Sequence, residues 1–316
     1  MSGNPAPPIH PMAKSFVLAH WLGIFLAGYP VRGRGAIQKV IRRFLVPEPQ
    51  GPTQIRTRFG IDLVVDPTID HGLEHAIYYD GVYEAGTLAV MRQTLRRGDI
   101  VLDVGANIGL MSLVAARCVG AEGRVYAVEP EPETFNLLEG NILLNGAERV
   151  IPINLAAGSA SGSAVIHSRL HVSRGSATLV LQEGEEDKCS PVEVETIDNL
   201  CTSHTIGTVR LLKIDVEGWE LEVLRGARGL LSRFDAPIVI IECSPLHAVQ
   251  GGQASDIYSL LGSMNDYRIY RLTKGKSSPS PLAPVGSARD IPHHDNLFCF
   301  LSVHLESLPP GLFVQV

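Results

Sequence analysis

The sequence predicts an α/β fold with a mostly parallel sheet and helices on both of its faces. Short aliphatic runs typical of buried strands alternate with segments of helical period through the middle of the chain. The first of these strands passes through a glycine-rich turn, DVGANIG, directly into a helix. Acidic side chains follow the second, fourth and fifth strands, which is typical of α/β enzymes whose ligands bind at the carboxyl ends of the strands.

The elements follow from this alternation in chain order. Core strands are predicted at 100–104, 124–128, 150–157, 209–214 and 237–241, with late strands at 267–272 and 296–301. Helices are predicted at 84–97, ending at Gly98, and at 109–119, 131–145, 219–231 and 255–264. A hairpin at 54–65 precedes the core, alternating segments at 163–167 and 192–196 interrupt it, and a loop is predicted at 274–294. If the core strands are ordered 3-2-1-4-5, a ligand crevice opens between the first and the fourth.

Three parts are predicted along the chain. They are a tail with a helical extension at 1–50, a hairpin and helix on the substrate side at 51–98, and a ligand-binding core at 99–316. The apolar stretch 15–28 is shorter than the roughly 20 residues of a membrane span. It favours a helix buried against the core, with peripheral membrane contact as the alternative. Residues 37–45 form a second amphipathic pattern.

Composition narrows the class of protein. A net charge of −6, with no run of basic residues interleaved with aromatics, argues against a nucleic-acid partner. Five scattered cysteines without C-x-x-C spacing argue against a zinc cluster and favour a reducing, cytoplasmic compartment. His71-Gly72-Leu73-Glu74-His75 matches an inverted zinc-protease pattern, which we reject because Gly72 weakens a helix there. The oligomeric state is not encoded in any pattern we recognise.

The glycine turn predicts a ligand that contains a nucleoside. Gly105 and Gly109 bring bare amides to a helix N-terminus, and Glu129 follows 20 residues later, where a carboxylate suits the two hydroxyls of a ribose. The dinucleotide fingerprint fails because Asn107 and Leu110 occupy its second and third glycine positions. Asp103-x-Gly105-x-Asn107-x-Gly109 fits instead the first motif of S-adenosylmethionine (AdoMet)-dependent methyltransferases, with an ordinary glycine-rich turn as the bland alternative.

This motif assigns the expected cofactor contacts. The turn would meet the methionine part of AdoMet, Asp103 its amino group and Glu129 its ribose, while Asn107 suits either a left-handed turn or a hydrogen bond to the carboxylate. Pro130 fixes the chain just past Glu129. The predicted cofactor-binding residues are Asp103, Gly105, Ala106, Asn107, Gly109, Glu129, Pro130, Leu155 and Ala156, the last two beside the adenine.

Carboxylates at the ends of the fourth and fifth strands form the candidate catalytic group. Asp215 is the first candidate to orient or deprotonate an acceptor hydroxyl, Glu217 the second and Glu242 the third. Asp215 could instead contact only the AdoMet amino group or cap the next helix, and Glu217 and Glu220 could simply favour that helix's N-terminus. Lys213 is then a partner for Glu217 or Glu220. A divalent metal on these acids is possible but not favoured, since no D-x-D or close histidine accompanies them.

One more polar cluster precedes the last strand. His293-His294-Asp295 could supply a base on the substrate side or form a polar turn, and the turn is favoured.

Several ordered blocks resemble the FkbM-type methyltransferases. They are GVYE at 81–84, LRRGDIVLDVGANIGLMSL at 95–113, AVEPEPETFNLLEGNILLN at 127–145, VETIDNL at 194–200, LLKIDVEGWELEVLRGA at 211–227 and IIECSP, with a weaker echo at 296–298. The resemblance implies a seven-stranded class I methyltransferase fold that is Rossmann-like, binds AdoMet and usually methylates a hydroxyl of a small molecule such as a sugar, glycolipid or natural product. Residues 1–50 match no part of this pattern. A nicotinamide-dependent oxidoreductase and a non-catalytic AdoMet-binding module are the alternatives.

Overall fold

The computed structural model describes residue 44 and residues 46–168, 174–179, 188–243 and 253–315. The predicted helices at 15–28 and 37–45 therefore lie outside the described residues, apart from Phe44. The chain divides into two compact units, one of Met1–Tyr83 with Leu170–Gly175 and one of Glu84–Arg169 with Ser176–Val316. The boundary after Tyr83 falls inside the predicted 51–98 part. The three-part division stays a prediction.

The first unit contains the predicted hairpin. Strands β1 (Thr53–Arg56) and β2 (Asp62–Val65) pair antiparallel, and helix α1 (Leu73–Asp80) follows directly after Gly72. The helix that we expected Gly72 to weaken is therefore present. Its Glu74 is fully buried, accepts a hydrogen bond from the Asp66 amide and pairs with Arg174 Nε at 2.7 Å. Glu74 thus has a structural role inside this unit.

The second unit is built on one mixed sheet. Its five parallel strands are β3 (Ile100–Val104), β4 (Arg124–Val128), β5 (Val150–Ile153), β9 (Val209–Ile214) and β10 (Ile238–Cys243). These five strands are ordered β10-β9-β3-β4-β5 in the sheet, so β3 lies beside both β4 and β9. This is the predicted 3-2-1-4-5 order, and it places the reversal between β3 and β9. Three antiparallel strands continue the sheet beyond β10.

The far edge of the sheet differs from the prediction by one strand. β13 (Asp295–Phe300) runs antiparallel between β10 and β11 (Arg268–Leu272), and β11 and β13 are the two late strands that the sequence predicted. The short strand β12 (Leu282–Pro284) then pairs antiparallel with β11 inside the segment predicted as a loop. The sheet therefore has eight strands, the seven expected ones and this edge strand.

The helices lie close to their predicted positions, with four differences. They are α2 (Ala85–Thr94), α3 (Leu110–Val119), α4 (Pro132–Leu144), α5 (Ile197–Ser203), α6 (Glu220–Gly226), α7 (Arg228–Leu231), α8 (Ala254–Met264) and α9 (Ser302–Leu305). Helix α2 ends at Thr94, where Leu95 turns extended, so Gly98 is not its C-cap. The predicted helix 219–231 is interrupted at Ala227, and neither α5 nor α9 was predicted.

The predicted strand 150–157 is two strands in different sheets. After β5, the chain leaves the main sheet at Asn154, and β6 (Ala156–Ala157) pairs with β8 (Lys188–Glu195), which also pairs with β7 (Gly162–Ser168). Asn154, at the break, is a single turn-favouring residue within an otherwise mostly aliphatic run, so the prediction joined the two pieces. The alternating segments at 163–167 and 192–196 are confirmed as the antiparallel pair β7–β8.

The aliphatic side chains of the parallel strands form the core of the second unit. Leu102, Val104, Ile214, Val239 and Ile241 are at most 1% exposed and lie in one hydrophobic cluster. Burying these strands on both faces leaves their carboxyl ends as the place where polar groups gather. Within the described part of the chain, no helix is both long and apolar enough to cross a membrane.

Candidate active site

The glycine turn brings the ends of β3 and β9 into direct contact. Gly105 has φ +80°, and its amide donates to Val128 O at 2.9 Å. A Cβ at this position would lie 1.8 Å from the main-chain oxygen of Asp215. Only glycine fits there, because a side chain would both strain the backbone and overlap the neighbouring strand end. Gly109, with φ +94°, precedes helix α3 and completes the turn.

Asn107 and Glu129 connect this turn to the end of β4. Asn107 adopts the left-handed conformation, with φ +51°, and its side-chain Oδ1 accepts from the Ile108 amide at 2.7 Å. Its own amide donates to Glu129 Oε2 at 2.8 Å, while Glu129 Oε1 accepts from the Glu131 amide at 3.0 Å. Of the two roles expected for Asn107, the left-handed turn is confirmed. The bond to the carboxylate comes from its backbone.

Glu129 is buried and holds its proton unusually tightly. Its side chain is 6% exposed, and burial raises its pKa from 4.5 to about 7, against the opposing effect of the two backbone hydrogen bonds. Each of its oxygens accepts one hydrogen bond and has a second lone pair for a ligand hydroxyl.

Asp103 lies beneath the turn and is 1% exposed. Its Oδ2 accepts from Ser112 Oγ at 2.5 Å, and its Oδ1 lies 3.6 Å from Lys213 Nζ without a hydrogen-bond partner among the described residues. A buried carboxylate oxygen without a donor is costly in a closed protein. A cationic amino group of a ligand would satisfy it, as the motif predicts.

The segment predicted to border the adenine follows β5. Asn154 Nδ2 donates to the main-chain oxygens of Glu129, at 2.9 Å, and of Pro130, at 3.2 Å. This contact ties Leu155 and Ala156 to the end of β4, beside the glycine turn. Their predicted contact with adenine stays a prediction.

Asp215 is paired with a buried lysine. Lys213 Nζ lies 3.0 Å from Asp215 Oδ2, and the lysine side chain is 3% exposed. Burial would raise the pKa of Asp215, but Lys213 and then Lys276 outweigh burial and hold that pKa below its usual range. The expected pairing of Lys213 with Glu217 or Glu220 is wrong, since β9 alternates its side chains and Lys213 lies on the same face as Asp215 and beside Asp103.

Glu217 and Glu220 have separate roles in the turn after β9. The fully buried Glu220 accepts from the amides of Val216, at 3.1 Å, and Gly218, at 3.0 Å, so it holds the turn in place. Glu217 adopts φ +51° in that turn. Burial and the neighbouring Glu242 and Asp215 raise the pKa of Glu217 well above its usual value.

Glu242 lies in β10 at the centre of a polar network that the sequence did not predict. Its Oε1 contacts Lys276 Nζ and lies 3.2 Å from His294 Nε2. Lys276 Nζ also lies 2.9 Å from Glu84, whose other oxygen accepts from Asn296 Nδ2 at 2.9 Å. Glu84 lies in the GVYE block at 81–84, and Asn296 lies in the weaker matching block at 296–298. Their membership of those blocks was the sequence feature that could have marked them as site residues. Lys276 had no signal.

Carboxylate oxygens of Asp215, Glu217 and Glu242 lie within 4.8 Å of one another, close enough to share a cation. Lys213 already contacts Asp215, and Lys276 contacts Glu242. Two ammonium groups beside these carboxylates would repel a divalent cation and supply part of the positive charge that the acids attract. We therefore treat the three acids as proton-carrying and orienting groups.

The turn has the features that an AdoMet molecule needs. Gly105 leaves its face free of side chains, Asp103 has an oxygen without a hydrogen-bond donor among the described residues, and Glu129 has lone pairs for ribose hydroxyls. The acidic groups of the crevice outnumber Lys213 and Lys276, which suits a ligand that carries a positive sulfonium. The residues present fit this cofactor.

Comparison with known proteins agrees with this geometry. Residues 103–269, more than half of the chain, match the Methyltransferase FkbM domain. Over 180 residues the chain is 29% identical to the hexuronic acid methyltransferase AglP of Haloferax volcanii, covering 56% of this chain and 67% of AglP.

Solved structures show weaker likenesses. A methyltransferase FkbM from Methylobacillus flagellatus KT matches with 17% identity and a TM-score of 0.43, over 71% of this chain and 52% of that one. Fibrillarin from Aeropyrum pernix, solved with bound AdoMet, matches with 14% identity and a TM-score of 0.40, over 68% and 73%. This chain thus spans about half of the length of the FkbM structure. TM-scores this low support no conclusion about the function of the chain.

The domain match covers the glycine turn, Glu129, Asp215 and Glu242, the residues that the sheet brings to one edge. With the reversal of strand order at this edge and a turn shaped for AdoMet, the match establishes that the chain belongs to the FkbM family and is an AdoMet-dependent methyltransferase.

Proposed function

We propose that the protein methylates a hydroxyl oxygen of a small molecule, a sugar, glycolipid or natural product, at the crevice between β3 and β9. The observation that carries this proposal is the group of three acids, Asp215, Glu217 and Glu242, with oxygens within 4.8 Å of one another beside the glycine turn. Neutral hydroxyls are good donors to such a group. The sugar-acid relative AglP supports a sugar-related acceptor.

The charge of the crevice favours a hydroxyl over a carboxylate as the methyl acceptor. The acids around the strand ends include Glu84, Asp103 and the three clustered carboxylates, whereas the cations among them are Lys213 and Lys276, both already paired. Asp215, which Lys213 keeps ionised, would repel an incoming carboxylate, whereas burial raises the pKa of Glu217 and Glu242 and favours their neutral forms. We therefore place the reaction on a hydroxyl even if the acceptor is a uronic acid.

The residues of the chain position the reactants and manage the proton. AdoMet supplies the electrophilic methyl group on its sulfonium when bound. Asp215, kept ionised by Lys213, orients the acceptor hydroxyl in line with that group, and such positioning supplies much of the rate in a displacement reaction. Glu217 and Glu242 are the further catalytic candidates beside it.

The proposal is tested by finding the product. Extract of the source organism, stripped of small nucleotides, is incubated with the protein and methyl-tritiated AdoMet, and labelled products are then treated with mild alkali. We expect a labelled ether that survives alkali, because ethers resist the hydrolysis that cleaves methyl esters. Label released as methanol would show a carboxyl acceptor, and a labelled amine or the absence of any labelled product would also refute the proposal.

Glu129 makes AdoMet binding depend on pH. Ribose hydroxyls donate to the ionised carboxylate, whereas the free protein holds the proton until about pH 7, so binding releases a proton below that pH. We expect AdoMet to bind about tenfold more weakly at pH 6 than at pH 8. Calorimetry in two buffers of different ionisation enthalpy measures both affinity and proton release.

Two variants show whether Glu129, and not another titrating group, causes the pH dependence of AdoMet binding. Glu129→Gln should remove most of the pH dependence and the proton release. Glu139→Gln, on the exposed side of α4, should behave like the wild type. Equal pH dependence in wild type and Glu129→Gln would show that Glu129 does not bind as an ionised group.

The cellular compartment is a further part of the proposal. Cys118, Cys189, Cys201, Cys243 and Cys299 are all free thiols in the structure, which supports a reducing, cytoplasmic setting.

A further inference from the structure

His294 lies at the solvent side of the network around Glu242. Its Nε2 is 3.2 Å from Glu242 Oε1, its side chain is 56% exposed, and the side chain of Glu242 is 3% exposed. The sequence favoured a polar turn at His293-His294-Asp295. The structure has a bend at His293 and His294, and it also places the second histidine beside a buried carboxylate of the candidate catalytic group.

We propose that His294 accepts the proton of the acceptor hydroxyl during methyl transfer and that Glu242 is the positioning residue that holds its ring. The inference rests on the proposed methylation of a hydroxyl and names the group that takes the proton. Glu242 is held in turn by Lys276, so the network runs from this partly buried lysine to the exposed imidazole.

The contact with Glu242 selects the tautomer that a base needs. Lys276 Nζ donates to Oε1 of Glu242, so this oxygen is an acceptor even though burial and Asp215 raise the pKa of Glu242. The Nε2 of a neutral His294 therefore carries the hydrogen and donates it to Oε1. The lone pair is then on Nδ1, which makes no hydrogen bond to another described residue. A carboxylate behind an imidazole in this way fixes the ring and raises its basicity.

Asp215 and Glu242 are worse proton acceptors than His294. Lys213 holds Asp215 ionised with a lowered pKa, which suits a hydrogen-bond acceptor but weakens a base. Glu242 Oε1 contacts Lys276 and His294, and Oε2, which has no hydrogen-bond partner among the described residues, is buried away from solvent. An imidazole has its ordinary pKa near neutrality, where a general base is most effective.

The charged groups around His294 shift its pKa in opposite directions. The hydrogen bond to Glu242 raises its pKa most, partial burial and Lys276 lower it, and Asp215 raises it again, for a net rise above 6.5. These groups come from β10, from the segment after β11 and from the end of β9, while His293 and Asp295 flank it in sequence.

The proposed step balances without another reactant. The hydroxyl oxygen forms a bond to the methyl carbon while the carbon–sulfur bond breaks, and its electron pair stays on sulfur. The hydroxyl proton passes to Nδ1 of His294. The resulting imidazolium, stabilised by Glu242, returns the proton to solvent through its exposed face.

The first test reads the ring itself and needs no acceptor. Long-range proton–nitrogen NMR spectra of histidine-labelled protein, titrated from pH 5 to 9, report both tautomer and pKa. We expect hydrogen on Nε2, a lone pair on Nδ1 and a pKa above 6.5 that falls in Glu242→Gln. The opposite tautomer, or a titration that Glu242→Gln leaves unchanged, would overturn the inference.

The second test uses the extract fraction that the wild type labels. His294→Gln should lower kcat by roughly 10–100-fold at pH 7, remove the acid limb of the pH profile and leave AdoMet affinity within about twofold. Added imidazole should partly restore His294→Ala, which a purely structural role would not allow. His293→Gln, an exposed neighbour with the same change, should match the wild type.

These outcomes separate the two proposals. If the wild type labels no hydroxyl, the proposed function is refuted. If the wild type labels a hydroxyl and His294→Gln has the same kcat, only the assignment of His294 as the proton acceptor is refuted. A loss without a changed pH profile and without imidazole rescue would also refute the assignment. So would activity that EDTA abolishes and Mg²⁺ restores equally in wild type and His294→Gln, because a metal-bound group would then take the proton.

Discussion

Replacing Gly105 with alanine should lower the free energy of unfolding by roughly 2–6 kcal/mol, the largest stability loss expected from a single methyl group in this protein. Two costs add at this position. Alanine must adopt φ +80°, a conformation that side chains rarely take. Its Cβ would also lie 1.8 Å from the main-chain oxygen of Asp215, which is backbone and cannot rotate away. Urea unfolding followed by circular dichroism measures the loss.

The same change should abolish cofactor binding in any protein that still folds. The turn must move away from Asp215 to admit the methyl group, and the amides that face the ligand move with it. We expect AdoMet affinity to fall at least a hundredfold by calorimetry.

Two further glycines provide graded controls. Gly109→Ala also requires a positive φ, but its Cβ would meet the tip of Leu138 at 2.7 Å, a side chain that can shift, so the stability loss should be smaller. Gly140 lies exposed within α4 with nothing within 4 Å, and Gly140→Ala should stabilise the protein by about 0.5–1 kcal/mol. If Gly105→Ala proved as stable as Gly140→Ala, the close approach of β3 to β9 would be wrong.

The central strands and their order were predictable because each carries its own signal. β3, β4, β9 and β10 are continuous aliphatic runs, and Gly105, Glu129 and Asp215 stand directly at the ends of such runs. Once the sheet is parallel, chain connectivity places those ends at one edge. The position of the candidate site therefore follows from local pattern and connectivity alone.

The partners of the acids were not predictable in the same way. Lys276 reaches Glu84 and Glu242 from a segment without periodicity, across separations of 192 and 34 residues in the chain. Lys213 lies on the Asp103 side because of the pairing of β3 with β9, which links Asp103 and Lys213 directly. Contacts of this kind depend on strand register and loop path, and a single sequence encodes neither in a local pattern.

Two local errors have a physical reason of a different kind. The break after Ile153 occurs within an aliphatic run, because Ala156 pairs with Val194 of β8 and the main sheet does not continue. The interruption of the helix at Ala227 follows Gly226, whose added Cβ would lie 1.9 Å from the main-chain oxygen of Gly158. In both places tertiary packing overrides a local preference.

Asp215→Ala should reduce turnover at least a hundredfold while AdoMet affinity stays within about tenfold of the wild type. The physical reason is that Asp215 acts on the acceptor hydroxyl, whereas the cofactor is held by the glycine turn and Glu129. Timed assays with tritiated AdoMet and the extract fraction that the wild type labels give kcat, and calorimetry gives the affinity for AdoMet.

The pair with Lys213 requires a second variant, because Asp215→Ala leaves that buried ammonium facing only Asp103 at 3.6 Å. Asp215→Asn keeps an oxygen for Lys213 and removes the charge, so it should fold closer to wild type and still lose most of its turnover. Asp235→Asn, a surface aspartate paired with Arg233, should change neither property. Unchanged turnover in Asp215→Asn would remove Asp215 from the orienting role. An AdoMet affinity that falls as far as kcat would make Asp215 a cofactor contact, because the loss would then occur before the acceptor binds.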